Sequence, residues 1–175
     1  MADTRLAVID GAGDVRRMTL ATTFDATIER VWQAMTTIEQ MKIWWPDWQP
    51  GGILEPREGG RIVLGDGSWI DGAIKVWAPP NVLEFTWKEA PENGDWFEPR
   101  TKSLLRVELV ALAKSQTALT LIQFAPEVAV VGGTAGWHYF AGERLKCLLE
   151  GGTLDDRPER FDELVALYAG SESSA

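Results

Sequence analysis

From Trp69 to Phe124 apolar residues return at every second position in run after run, and past Pro126 that rhythm gives way to helical spacing. Trp69 to Ala78 presents Ile70, Gly72, Ile74 and Val76 on one face, and Val82 to Lys88 presents Leu83, Phe85 and Trp87. Ser103 to Leu112 sets Leu105, Val107 and Leu109 against Arg106 and Glu108, while Thr117 to Phe124 keeps Gln123 in phase with Leu119 and Leu121. Successive side chains of a strand point to opposite faces, so each run predicts a strand with one buried face. The turns between them are short, which implies antiparallel pairing. Trp137, Ala141, Leu145 and Leu148 then recur at i, i+4, i+8 and i+11, the stripe of a long helix that stops at Gly151-Gly152. A sheet that is apolar on one face needs a cover, and this helix supplies it.

The earlier residues fit the same plan. Met18, Leu20, Thr22 and Phe24 alternate with Thr19, Ala21 and Thr23 in a first strand. Thr27 is a simple N-cap, because Arg30 stands where a capping box needs Glu or Gln. Val31, Trp32, Met35 and Ile38 continue at helical spacing, with a bend near Thr37 and a second short helix through Met41 to Trp44. Pro46, Pro50 and the pairs Gly51-Gly52 and Gly59-Gly60 mark turns around two short strands, Gly52 to Glu55 and Arg61 to Leu64. The expected fold is α+β: a curved antiparallel sheet of six or seven strands wrapped around a long C-terminal helix, with two short helices after the first strand. Residues 1–16 read as a flexible lead-in, 17–151 as the domain, and 152–175 as an extension. In that extension Phe161, Leu164, Val165 and Tyr168 form the stripe of a helix over Pro158 to Ala169, followed by a polar tail. The stripe needs cover from its own domain, giving a monomer, or from a second copy, giving a weak homodimer.

Charge and composition exclude several function classes. A net charge of −9 opposes partners held through phosphates, so neither nucleic acid nor an anionic membrane is an expected partner. No apolar run is long enough for membrane insertion, and residues 1–17 lack the pattern of a secretory leader. With a single cysteine, Cys147, no internal disulfide can form, and a cytoplasmic location follows as the expectation. One histidine and one cysteine make a poor metal set, and the Gly-rich turns lack the Lys and Ser or Thr of a phosphate-cradling loop. Neither a metal nor a cofactor is expected.

Phe24-Asp25-Ala26-Thr27-Ile28-Glu29-Arg30-Val31-Trp32-Gln33-Ala34-Met35-Thr36 resembles the opening of the START-like superfamily, also called SRPBCC, in its branch related to the heat-shock chaperone ATPase activator. Trp44-Trp45, Gly59-Gly60-Arg61, Gly72, Val76-Trp77-Ala78-Pro79-Pro80 and Leu83-Glu84-Phe85-Thr86-Trp87 follow in that family's order, and Gly136-Trp137-His138 with Leu145, Leu148 and Glu150-Gly151 is similar to its closing helix. The resemblance implies a helix-grip fold with an internal cavity. Its members include lipid and hormone carriers, polyketide cyclases and co-chaperone modules, so the fold leaves the function open.

Nine Trp in one small domain, set against two Tyr, suggest the walls of a binding site. Trp87 and Trp137 lie on core faces; Trp44, Trp45, Trp48, Trp69 and Trp96 sit near element ends, where a helix grip opens. The expected lining is Trp44, Trp45, Trp69, Trp87 and Trp137 with Ile74, Val76, Leu83, Phe85, Val107, Leu121 and Ala141, and with Gln123 as an inward amide that orients a ligand or holds water. His138 is the candidate general acid or base, with Asp71 or Asp95 as partner, although a boundary histidine bonded to backbone or water is the commoner case. The scarcity of paired inward polar groups favours non-catalytic binding of a small hydrophobic molecule such as a lipid. A cyclase- or hydrolase-like enzyme and a chaperone-linked interaction domain are the alternatives.

Overall fold

The alternating runs pair into one antiparallel sheet in the computed structural model, which describes residues 6–11, 16–45, 51–64, 70–87, 103–124, 130–155 and 157–169. Its strands are β1 (Ala7–Asp10), β2 (Arg17–Phe24), β3 (Gly52–Leu54), β4 (Arg61–Leu64), β5 (Ile70–Ala78), β6 (Val82–Trp87), β7 (Ser103–Ala113) and β8 (Gln116–Phe124). They lie in the order β1-β2-β8-β7-β6-β5-β4-β3. Between β2 and β3 come α1 (Ile28–Thr36) and α2 (Ile38–Trp44). After β8 a continuous helical stretch runs as α3 (Val130–Trp137), π-helical turns (His138–Leu145) and α4 (Lys146–Leu149), and α5 (Pro158–Ala169) closes the described chain.

Local chemistry accounts for the borders. The Thr27 hydroxyl accepts the Arg30 N–H at 3.3 Å and starts α1. Thr37, extended at φ −115° and ψ 122°, separates the two short helices. Gly151 ends the long helix in a left-handed conformation, φ 79°, where a side chain is disfavoured. Leu83, Phe85, Leu105, Val107, Leu109, Leu119 and Leu121 form the inward face of the sheet, and Ala141 and Leu145 of the helix are fully buried over it.

Two strand assignments change. The sheet has eight strands, because part of the lead-in pairs with β2, Ala7 opposite Leu20 and Ile9 opposite Met18. Ala7 is buried and Ile9 packs partly buried against the core, but the exposed residue between them is the apolar Val8, which hides the alternation. The second change is in β5. Ile74 faces Phe85, but the extra residue Lys75 makes Val76 the partner of Glu84 and Trp77 the partner of inward Leu83. This bulge reverses the phase of the strand. Val76 therefore leaves the expected lining, and Trp77 packs edge-on against Trp32 of α1 at 5.2 Å.

The β5–β6 ladder is also irregular just before that bulge. The Ala73 N–H donates to the Thr86 hydroxyl at 2.9 Å, so a side chain takes up a ladder hydrogen bond there. Gly72 allows the approach, since a Cβ built on it would sit 1.7 Å from the Thr86 carbonyl oxygen.

Candidate functional site

The two tryptophans that end α2 are held by the long helix. Arg144, 9% exposed, donates from Nε to the Trp44 carbonyl at 3.0 Å and from a terminal nitrogen to the Asp155 carbonyl at 3.0 Å, with its guanidinium 5.7 Å from the Tyr139 ring centre. A cation at the end of a helix also suits the partial negative charge of its last carbonyls. The Trp44 indole is buried and donates to the Ala34 carbonyl at 2.9 Å. Its neighbour Trp45 is thereby projected between sheet and helix.

Trp45 is the centre of an aromatic cluster. Its ring stacks on Phe140 at 5.1 Å and 14°, meets Trp137 edge-on at 4.8 Å, and lies 6.4 Å from Trp87 and 5.6 Å from Trp44. Trp87 and Trp137 are themselves T-shaped at 5.9 Å. Such pairs add to the stabilisation that burial alone provides. Phe140 was not singled out from the sequence, because it lies off the stripe an α-helix would present.

Polar groups on the inward face of the sheet gather at this same end. Gln123 accepts the Trp137 indole N–H at 2.7 Å through Oε1, which answers how the inward amide is held. Trp87 and Ser103 face each other across β6 and β7, 7% and 1% exposed. The Trp87 Nε1 and the Ser103 Oγ have no hydrogen-bond partner among the described residues. Thr117, at the other end of β8, has one: its hydroxyl donates to the Ala26 carbonyl at 2.8 Å.

The remaining lining candidates divide. Ile74, Leu83, Phe85, Val107, Leu121 and Ala141 are buried in the core that continues from the cluster. Trp48, Trp69, Trp96 and Asp95 lie outside the described residues. Asp71 is committed elsewhere, in a two-pronged pair with Arg61 at 3.0 and 3.1 Å. Cys147 is half-buried and donates to the Thr153 carbonyl at 3.3 Å.

His138 meets neither the tryptophans nor Asp71 in any of these contacts. The π-helical turns present it to α5, where Nδ1 lies 2.8 Å from the Tyr168 hydroxyl and Nε2 lies 3.4 Å from Glu143. The same hydroxyl accepts the Ala7 N–H at 3.2 Å. One arrangement satisfies all three groups: Tyr168 O–H donates to Nδ1, and the ring proton resides on Nε2, toward Glu143. Arg160 of α5 completes the network on Glu143 with contacts of 2.6 to 3.1 Å. This chain of groups ties β1, the long helix and α5 together.

Burial raises the Glu143 pKa, but the contacts with His138 and Arg160 outweigh it and hold the carboxyl at about 2, below its ordinary 4.5. A depressed carboxyl contributes stability that is present above its unfolded pKa and is lost as pH falls through the folded one. Glu143→Gln is expected to cost about 1–2 kcal/mol at pH 7, allowing for solvent screening of a partly exposed pair. Melting curves of both proteins between pH 7 and pH 2 check this: the difference should shrink from about pH 4.5 downward. A difference independent of pH would refute the assignment.

Other features of the described residues have less to offer. An open groove of about 330 Å³ lies between α2 and β3, walled by Thr36, Glu39, Lys42 and Leu54, apart from the tryptophan cluster. Among the described residues no three His, Cys, Asp or Glu side chains gather to hold a metal ion, and no helix is long and apolar enough to cross a membrane.

Comparison with known proteins agrees with this architecture. The crystal structure of CalU16 from Micromonospora echinospora superposes with a TM-score of 0.69 at 24% identity, covering 94% of this chain and 92% of that one. PFC0360w, an HSP90 activator from Plasmodium falciparum, gives 0.59 at 15% identity over 72% of this chain and 91% of its own. The Aha1 dimer from Colwellia psychrerythraea gives 0.63 at 19% identity over 79% and 98%. No curated protein sequence matches the chain. The family described as Activator of Hsp90 ATPase homolog 1-like protein matches residues 25–150, from the turn after β2 through the end of the long helix. The chain belongs to that family, within the START-like superfamily.

Proposed function

We propose that this protein binds a small, uncharged, apolar molecule between sheet and long helix, at the end marked by Trp45, without transforming it. One observation carries the reading: the side chains that meet there are aromatic rings from α2, β6 and the long helix, with the half-buried Trp45 at their centre. Ligand sites are walled by such side chains, with few polar groups to set orientation. The alternative of a hydrolase or cyclase has less to support it, because His138 is engaged with Tyr168 and Glu143 and Asp71 with Arg61, while Asp95 lies outside the described residues. The chain acts as a monomer in this reading, since α5 covers its apolar stripe against its own domain, with Leu164 and Tyr168 fully buried.

Two measurements test it. Native mass spectrometry of protein purified from its own host should reveal a co-purifying small molecule. The uncharged dye N-phenyl-1-naphthylamine should gain fluorescence on stoichiometric binding, and Phe140→Ala should weaken that binding by about tenfold or more, the loss expected from removing a ring that the ligand stacks on. No retained molecule and no dye binding would refute the proposal.

A further inference from the structure

We infer that Trp87 Nε1 and Ser103 Oγ form a hydrogen-bonding subsite for the carbonyl oxygen of a flat aromatic ligand, whose ring takes the place now held by the Trp45 indole. The inference rests on the binding proposal above and specifies its ligand. Buried polar groups in folded proteins are almost always partnered, and the exceptions call for an explanation. Here two occur on one rung, on the same face of neighbouring strands, beside the aromatic cluster. Chance strain would scatter such groups. The other buried polar side chains on this face of the sheet have their partners, Gln123 at the same end with Trp137 and Thr117 at the far end of β8 with Ala26.

The donor inventory specifies the ligand atom. An indole N–H can only donate, and a serine hydroxyl can donate, so the group that satisfies both is an acceptor with two lone pairs. A carboxylate would carry a charge into the site, and Arg144, which reaches the cluster through the Trp44 carbonyl, is spent on two backbone carbonyls. A neutral ketone or quinone oxygen fits. The ring attached to it must be flat, since Phe140 offers a stacked face and Trp137 an edge to whatever sits at the Trp45 position. Trp45 and Phe140 are the partly exposed members of the cluster, and turning the Trp45 side chain leaves the Arg144 hold on the preceding carbonyl intact.

A matched pair of probes tests the subsite on the full chain: 2-acetylnaphthalene, which carries the carbonyl, and 2-ethylnaphthalene, which does not. Displacement of N-phenyl-1-naphthylamine reads both affinities. The ketone should bind about three- to tenfold more tightly, the value of one ordinary hydrogen bond. Ser103→Ala and Trp87→Phe should each reduce that preference, read as the ratio of the two affinities within each variant. Ser103→Ala should also leave the melting temperature unchanged or higher, because Oγ makes no bond to lose, and a fall would show that the hydroxyl already has a structural partner and overturn the subsite. Equal affinities for the two probes would overturn the subsite and leave the apolar site standing. Failure of both probes to bind would overturn the subsite and the binding proposal together.

Discussion

Removing residues 153–175 is expected to lower the melting temperature by about 10 °C or more, the largest change any surface element of this fold should produce. Leu164 and Tyr168 of α5 are 0% and 1% exposed, and His138 beneath them is 3% exposed. Leu164→Ala alone should cost about 2–5 kcal/mol, or roughly 5–15 °C in a chain of this size. Truncation adds the loss of Arg160 from Glu143 and opens the His138 face to water. Calorimetry with light scattering decides the matter. An unchanged melting temperature in a monomer of reduced mass would show that α5 contributes nothing to the fold. Tyr168→Phe separates packing from polarity, because it keeps the ring but strands the Ala7 N–H and His138 Nδ1, at about 1–3 kcal/mol.

The second large effect is expected at Gly72. A methyl group there would meet the Thr86 carbonyl oxygen at 1.7 Å, and a backbone atom cannot turn aside as a side chain can. Gly72→Ala must push β5 away from β6 where the two strands approach closely at Thr86, at a cost of about 3 kcal/mol or more. The Ala73–Thr86 hydrogen bond would go with it. Denaturant unfolding of the variant, or its recovery only as insoluble protein, is the measurement. Stability within 0.5 kcal/mol of the parent, the range of an ordinary surface change, would mean that the two strands are not held so close.

Much of this fold was legible because most of its strands bury one face and its helices carry strong punctuation. Thr27, Thr37, Gly151 and Pro158 all mark borders that the structure keeps. What escaped was whatever shifts a period without leaving a residue signature. Lys75 is an unremarkable lysine, yet its bulge turns Val76 outward and Trp77 inward. The site was half legible for the same reason. The tryptophans announced an aromatic wall, but the partner of His138 lay thirty residues on, in the extension. Nothing in the spacing of Arg144 shows that it fixes Trp44 and so aims Trp45. Ser103 begins a strand with an ordinary small residue, and only the burial of its hydroxyl makes it notable.

The π-helical turns between Trp137 and Lys146 restrict how this protein can vary in length. Wider turns keep Trp137, Ala141 and Leu145 in line over the sheet while His138 and Gly142 line up toward α5 and Leu6. A residue gained or lost here, with the wide turns kept, would rotate everything after it by roughly 80–100° against everything before. The two ends are pinned to different strands, Trp137 to Gln123 of β8 and Lys146 to the Thr23 carbonyl of β2. Such a rotation must break one anchor or the other. Side chains in this segment are free to diverge between relatives, but insertions and deletions belong in the connections outside it.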